Sequence, residues 1–293
     1  MQIHPKKETS EILQYETIII TIFIALHIPM KKSMKKILLI LFLSIAVASC
    51  MKEKSFSFEE KVYQKILLDT CVDEDCTEIK ITTAEIVDPQ NEIADRINKD
   101  NLSIINEILS FENEKKQATN YDSIVISFTN AYTNMVKKFP KATIPWQAKA
   151  NNIVTFYGDN LVSFALDYYI FTGGANGFQG EKTMHYNPAT GEQYSKEQLF
   201  KNYGDFKKLV INKLKELNDN GKEKATNISE LSLEEDSLEM PENIFIYEDS
   251  VVLNFTTADV STVASKVITI SFTQEEIVPY LSFELKPKPN TNK

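Results

Sequence analysis

The sequence predicts an α+β fold, with mainly antiparallel sheet packed against helices. Three observations lead there. Alternating runs joined by short turns recur as β-hairpins, at 153–171 and again at 244–255. Two segments, near 93–109 and 121–139, repeat apolar residues at helical spacing. Strands and helices stand in blocks rather than in regular alternation, which favours α+β over a parallel α/β sheet.

Within the 293 residues, the working protein is expected to begin after residue 49. Met34-Lys35-Lys36 and the run Ile37 to Val47 form a positive n-region and a short apolar h-region, ending in Val47-Ala48-Ser49-Cys50. That run falls far below the ~20 residues of a membrane-spanning helix, so 34–49 reads as a signal peptide. Its last four residues resemble a bacterial lipobox, which makes Cys50 the lipidated first residue of the mature chain. Residues 1–33 carry a second short apolar run, Ile18 to Ile28, ahead of Pro29 and Lys31-Lys32. A misassigned start, with Met34 the true one, explains this most simply; a two-helix leader is the alternative.

Residues 51–56 read as a polar tether. Phe56 to Leu68 alternates as a strand, and Thr77 to Ile86 as its partner, with Ile79 and Ile81 on one face. Cys71 and Cys76 lie in the joining loop, spaced C-x4-C, and outside the cytoplasm such a pair reads as a disulfide. A metal site would want further Cys or His ligands nearby, and none is present. Asp88-Pro89-Gln90 breaks the strand and opens a helix marked by Ile93, Ile97, Ile104, Ile105, Ile108 and Leu109, with an interruption open at Asn98 to Ser103. A polar stretch to Asn120 precedes a second helix, Tyr121 to Phe139, stopped by Pro140 and Pro145. Ile124, Phe128, Ala131, Met135 and Phe139 share one of its faces.

Trp146 begins the strand-rich half. Ile153 to Tyr157, a Gly158-Asp159-Asn160 turn and Leu161 to Phe171 form a hairpin. The strand then runs into a turn with three glycines, in which Gly supplies positive φ or lets another backbone come close. Tyr168, Tyr169, Phe171, Gly173, Gly174, Asn176 and Gly177 are therefore the candidate binding loop, held up by a rigid sheet; a purely structural turn is the plain alternative. His185 to Gly191 reads as a further strand and a Pro-x-x-Gly turn. Ser195-Lys196-Glu197-Gln198 matches a capping box and introduces a short helix to Phe200. Tyr203 to Asn218 continues as a helix that buries Leu209, Leu214 and Leu217, ended by Asn220-Gly221. Residues 222–241 read as an acidic loop. Ile244 to Tyr247 and Val251 to Phe255 form another hairpin, Val267 to Phe272 a last strand, and Gln274 to Leu281 a short helix. The lysine–proline tail 286–293 is expected to be disordered.

Composition excludes several functions. The whole chain carries a formal net charge of −9. Without the six lysines and three glutamates of 1–49, 26 basic and 38 acidic residues remain, net −12. The only arginine is Arg96. Nucleic-acid binding wants a basic face, so no nucleic acid is expected as a partner. Of the histidines His4, His27 and His185, only His185 survives signal removal, which leaves too few imidazoles for a histidine-based zinc site. No G-x-S-x-G elbow supports a triad through His185, and no Gly-Lys-Ser/Thr follows Gly173-Gly174-Ala175-Asn176-Gly177 to make a phosphate loop. No cofactor and no metal are expected. Paired carboxylates remain open, with Asp167, Glu181 and Glu192 close to the glycine turn in sequence.

The tract 168–200 carries the pattern Tyr-Tyr-x-x-Thr-Gly-Gly-Ala-x-Gly, then an aromatic-Asn-x-x-Thr-Gly segment leading to x-x-Leu-Phe. It resembles the C-terminal domain of RsiV-type anti-sigma factors. In many bacteria that domain follows another, first noted as an accessory part of the peptidoglycan deacetylase PdaC, with which 57–160 looks compatible. The resemblance implies two domains, PdaC-accessory-like at 57–160 and RsiV-like at 161–285, and extracytoplasmic binding. RsiV-type proteins use this region to recognise lysozyme. Family members usually carry His where Asn176 stands, and this chain lacks a cytoplasmic sigma-binding segment, so an anti-sigma role does not carry over. The resulting expectation is a lipid-anchored, non-catalytic envelope protein, on the outer membrane of a Gram-negative host, that recognises peptidoglycan-type glycan or a lysozyme-like protein. A carboxylate-based cell-wall glycan hydrolase, or an accessory module of one, is the alternative.

Overall fold

A computed structural model describes residues 55–72, 75–110, 118–140, 144–219, 234, 237–256 and 267–288. The expected extension 1–33, the signal peptide, Cys50, most of the tether and most of the acidic loop 222–241 lie outside these residues. Among the described residues no helix is long and apolar enough to cross a membrane.

The chain is α+β. Strands β1 (Ser57–Val72), β2 (Asp75–Asp88), β3 (Gln147–Tyr157), β4 (Val162–Phe171) and β5 (Phe178–Tyr186) form one sheet in that order. All neighbours are antiparallel except β2 and β3, which run parallel. A parallel pair needs a crossover, and two helices supply it: α1 (Glu92–Leu109) and α2 (Tyr121–Lys138). Strands β6 (Ile244–Ile246), β7 (Ser250–Thr256) and β8 (Val267–Thr273) form a second, antiparallel sheet, accompanied by α3 (Tyr203–Asp219) and α4 (Gln274–Ile277). The division expected between 160 and 161 falls in the turn of the β3–β4 hairpin, whose strands pair from Gln147↔Phe171 to Tyr157↔Val162. The first sheet is continuous across it.

One core lies between the first sheet and its helices. Ile79 and Ile81 share the inward face of β2, as their alternation requires, and are fully buried with Ile97, Ile105 and Phe128. Helix α1 runs unbroken through Asn98 to Ser103, and both asparagines there reach the sheet. Asn98 bonds the N–H and the carbonyl of Ile86, each at 2.9 Å, and Asn101 accepts from the Tyr186 hydroxyl at 3.0 Å. The Asn101 Nδ2 is buried without a partner in hydrogen-bonding geometry. Helix α2 starts on an Asn120–Ser123 capping box. Its buried face is Tyr121, Ile124, Val125, Phe128, Thr129 and Tyr132, rotated from the expected stripe. Phe128 and Tyr132 pack edge-on to Trp146, at 6.0 and 5.6 Å, whereas Met135 and Phe139 are exposed.

The second core gathers Phe206, Val210, Ile211 and Leu214 of α3 against the second sheet, with Leu209 and Leu217 only half-buried beside them. Two short helices depart from expectation. At 195–200 the Gln198 side chain does accept the Ser195 N–H at 2.8 Å, but the segment is a turn. Leu199 and Phe200 are drawn into backbone pairing with 280–282 instead, with Ser282 N–H donating to the Leu199 carbonyl at 2.9 Å. That same pairing ends α4 at Ile277 rather than Leu281. The tail is ordered through Lys288, whose N–H donates to the Tyr157 carbonyl at 2.8 Å and whose ammonium meets Asp159 at 2.8 Å; residues 289–293 lie outside the described residues.

Candidate binding cleft

The glycine turn joins β4 to β5, and its glycines do different work. Gly173 and Gly174 hold φ of 101° and 102°, the left-handed region in which a side chain is strained. Gly177 does not. It instead makes room for the Tyr169 ring, whose Cζ would stand 2.6 Å from an added Cβ. Gly180 does the same for Tyr168, its cross-strand neighbour, at 2.5 Å from Cζ.

Alternation along β4 then separates the predicted residues. Tyr168 leans toward the helix-packed face and reaches the β5 edge, with its ring 5.9 Å from that of Phe178. Tyr169 and Phe171 point to the opposite face, half-buried, and Asn176 is exposed at the tip. Cys71 and Cys76 are disulfide-bonded across the β1–β2 tip.

Strand β5 is the edge of its sheet, and two segments cover that edge. Asn243 presents its carboxamide like a strand residue: Oδ1 accepts the Thr183 N–H at 3.0 Å and Nδ2 donates to the Glu181 carbonyl at 2.8 Å. Further along, Tyr194 N–H donates to the His185 carbonyl at 2.8 Å. Capping an edge in this way removes a site of unwanted pairing. Between the two covers opens a cleft of about 710 Å³, within the range typical of small-ligand sites. Tyr168, Glu181, Lys182 and Thr183 line one side, 193–197 the second and Glu242 to Ile244 the third. A Lys196–Glu242 ion pair closes the rim.

His185 forms part of the cleft wall and is 5% exposed. Its Nδ1 faces the Ser163 hydroxyl at 2.9 Å, and Nε2 has no partner in hydrogen-bonding geometry. Desolvation pulls its pKa down to about 4, only partly offset by the backbone of Ile244, so the ring is neutral at pH 7. Nearby, the Tyr203 hydroxyl is buried without a partner, and burial, then Glu197 and Glu242, push its pKa up to about 12.

Glu181 also takes part in a second arrangement. It stands directly opposite Asp167 in the β4–β5 register, which puts their Cβ atoms about 5 Å apart. Partial desolvation, then the Glu181 charge, raises the Asp167 pKa. Glu181 Oε2 accepts from Asn254 at 2.9 Å, and both carboxylates, after burial, push the Tyr247 hydroxyl up. Among the described residues no group of three or more His, Cys, Asp and Glu side chains is placed to hold a metal ion.

Of the predicted loop, then, only Tyr168 lines the cleft. Of the residues that complete it, Lys182, Thr183 and Asn243 carried no motif, and Lys196 stood only inside the capping signal of 195–198. Asn243 is legible only once β5 is known to be an edge.

Residues 70–179 match the family described as Deacetylase PdaC, a span that crosses the expected 160/161 division. No curated protein matches the sequence. Among solved structures, a DUF3298 family member from Bacteroides fragilis aligns with 15% identity and a TM-score of 0.55, over 79% of this chain and 96% of that one. A DUF3298 family protein from Pseudomonas aeruginosa aligns with 15% identity and a TM-score of 0.53, over 80% of this chain and 99% of that one. At such identity the likeness speaks for the fold. The chain carries a PdaC-like domain within the fold shared by DUF3298 family proteins.

Proposed function

We propose that this chain is a lipid-anchored, non-catalytic binding protein of the bacterial cell envelope, holding a peptidoglycan-type glycan in the cleft at the β5 edge. The PdaC-like domain suggests an extracytoplasmic envelope protein, and the lipobox at Cys50 supplies the anchor. The observation that carries the ligand class is the lining of the cleft. Two lysines face three glutamates, mixed with Thr183, Gln193, Ser195, Asn243 and the rings of Tyr168 and Tyr194. Closely spaced donors and acceptors suit the hydroxyls of a neutral or weakly cationic sugar, and aromatic rings suit its C–H faces. A phosphate-rich ligand would meet a net negative wall.

A lysozyme-like basic protein is the second ligand in view, motivated by the acidic mature chain. The hydrolase reading is favoured by one observation, the two carboxylates Asp167 and Glu181 side by side across β4 and β5. Retention of the purified protein on peptidoglycan and on immobilised lysozyme, at two salt concentrations, separates the binding readings. Glycan retention should resist salt and fall with Tyr168→Ala; retention on lysozyme alone, lost at high salt, would reject the glycan. Release of reducing sugar that stops with Asp167→Asn would favour hydrolysis.

A further inference from the structure

The two edges of the first sheet differ. Asn243 and Tyr194 cover the β5 edge. Strand β1 is the other edge, and among the described residues no strand pairs with its outer side. It lies against β2 in unbroken antiparallel register from Phe58↔Ile86 to Leu67↔Thr77. A long open edge is a template for one more strand.

The ladder fixes which groups face outward. Glu78 N–H donates to the Trp146 carbonyl at 2.9 Å, away from β1, so Glu78 and its partner Ile66 do not bond each other. Ile66 therefore turns its N–H and C=O outward, and by alternation so do Gln64 and Val62. Their side chains share the face opposite Tyr63, whose ring stacks on Tyr121 of α2. On that face Val62 is 52% exposed and Ile66 43%, and Leu68 follows at 77%. An apolar stripe along an open edge strand is what a lone sheet ordinarily avoids.

The occupant must match both the outward bonds and the side chains, and β1 matches itself. A two-fold axis at Gln64 sets Gln64 opposite its twin, Val62 opposite Ile66, Tyr63 opposite Lys65 and Lys61 opposite Leu67, so no like charges meet. Centring on Tyr63 would put Lys61 opposite Lys65, and centring on Lys65 would put that lysine opposite its own twin. Centring on Val62 would run Ile66 against Phe58, which is buried. Antiparallel pairing also sends the acidic tips of the two β1–β2 fingers, with exposed Asp69 and Asp75, to opposite ends.

We infer that β1 pairs with β1 of a second copy, antiparallel and centred on Gln64, joining two five-stranded sheets into one. The interface lies on the edge away from the β5 cleft and stands without the glycan reading. Sedimentation equilibrium of the full chain tests it, together with oxidative cross-linking of cysteine variants. Hydrogen-bonded antiparallel partners have Cα atoms about 5.5 Å apart, within disulfide reach. Gln64→Cys should therefore cross-link to its twin, whereas Val62→Cys, displaced ~14 Å from its own twin along the strands, should not. Val62→Lys should weaken dimerisation about tenfold or more. The melting temperature of the dilute variant should stay level, because Val62 is already half-exposed. A monomer at every concentration up to ~0.1 mM would overturn the inference. So would a dimer that Val62→Lys leaves intact, or cross-linking through Val62→Cys but not through Gln64→Cys.

Discussion

The ring of Tyr169 fills the space that a side chain on Gly177 would occupy, with Cζ 2.6 Å from the missing Cβ. Gly177→Ala must therefore displace Tyr169, while Gly174→Ala meets nothing within 4 Å and pays only for its φ of 102°. The Gly174 change should cost roughly 1 kcal/mol or more. The Gly177 change should lose much of its cost when Tyr169→Ala is present, a coupling that a double-mutant cycle on urea midpoints reads directly. Additive behaviour would mean the two residues do not compete for that space.

Asp167 and His185 should bend the pH dependence of stability in opposite directions. The raised pKa of folded Asp167 means its charged form is disfavoured in the native state, so its contribution is lost as pH rises through the carboxylate range. Asp167→Asn should raise the melting temperature at pH 7 and leave it nearly level at pH about 4. Equal gains at both would remove Glu181 and desolvation as the cause.

His185 is depressed to about 4, against about 6.5 in an unfolded chain. Its neutral form stabilises the fold above the unfolded pKa, and that contribution is lost as pH falls from about 6.5 toward 4. A His185→Gln variant should show a flatter stability profile across this window. An unchanged slope would point to other acid-labile groups.

The Cys71–Cys76 bond closes a short loop at the exposed finger. Replacing both with Ser should cost at most about 3 kcal/mol and speed amide exchange near Leu67 and Thr77 while leaving β3 and β4 protected. Two free thiols in unreduced protein would refute the pairing. Upstream, Cys50→Ser should release the protein from membranes, and undiminished lipid labelling in that variant would contradict the lipobox.

The hairpins, the block of helices and the disulfide were legible because each is local: alternation, a capping residue or a short C-x4-C spacing decides it. What stayed hidden was set by partners distant in sequence. Asn98 and Asn101 look like helix breakers until Ile86 and Tyr186 meet them. The 195–200 segment carries a capping signal, yet residues 280–282 claim its backbone. The face of α2 turned on Trp146 rather than on its own periodicity. The glycine turn was found, but of its residues only Tyr168 lines the cleft. The rest of the cleft comes from three separate stretches that no spacing rule connects.

The most direct test of the cleft as a glycan site is amide exchange by mass spectrometry with a soluble oligomer of N-acetylglucosamine, repeated with its de-N-acetylated counterpart. The account predicts slowed exchange at 181–185, 193–197 and 242–244 with at least one of the two, and none of it in a Tyr168→Ala/Asn243→Ala variant that still folds. Binding that protects only the glycine tip around Asn176, or no protection with either oligomer, would contradict it.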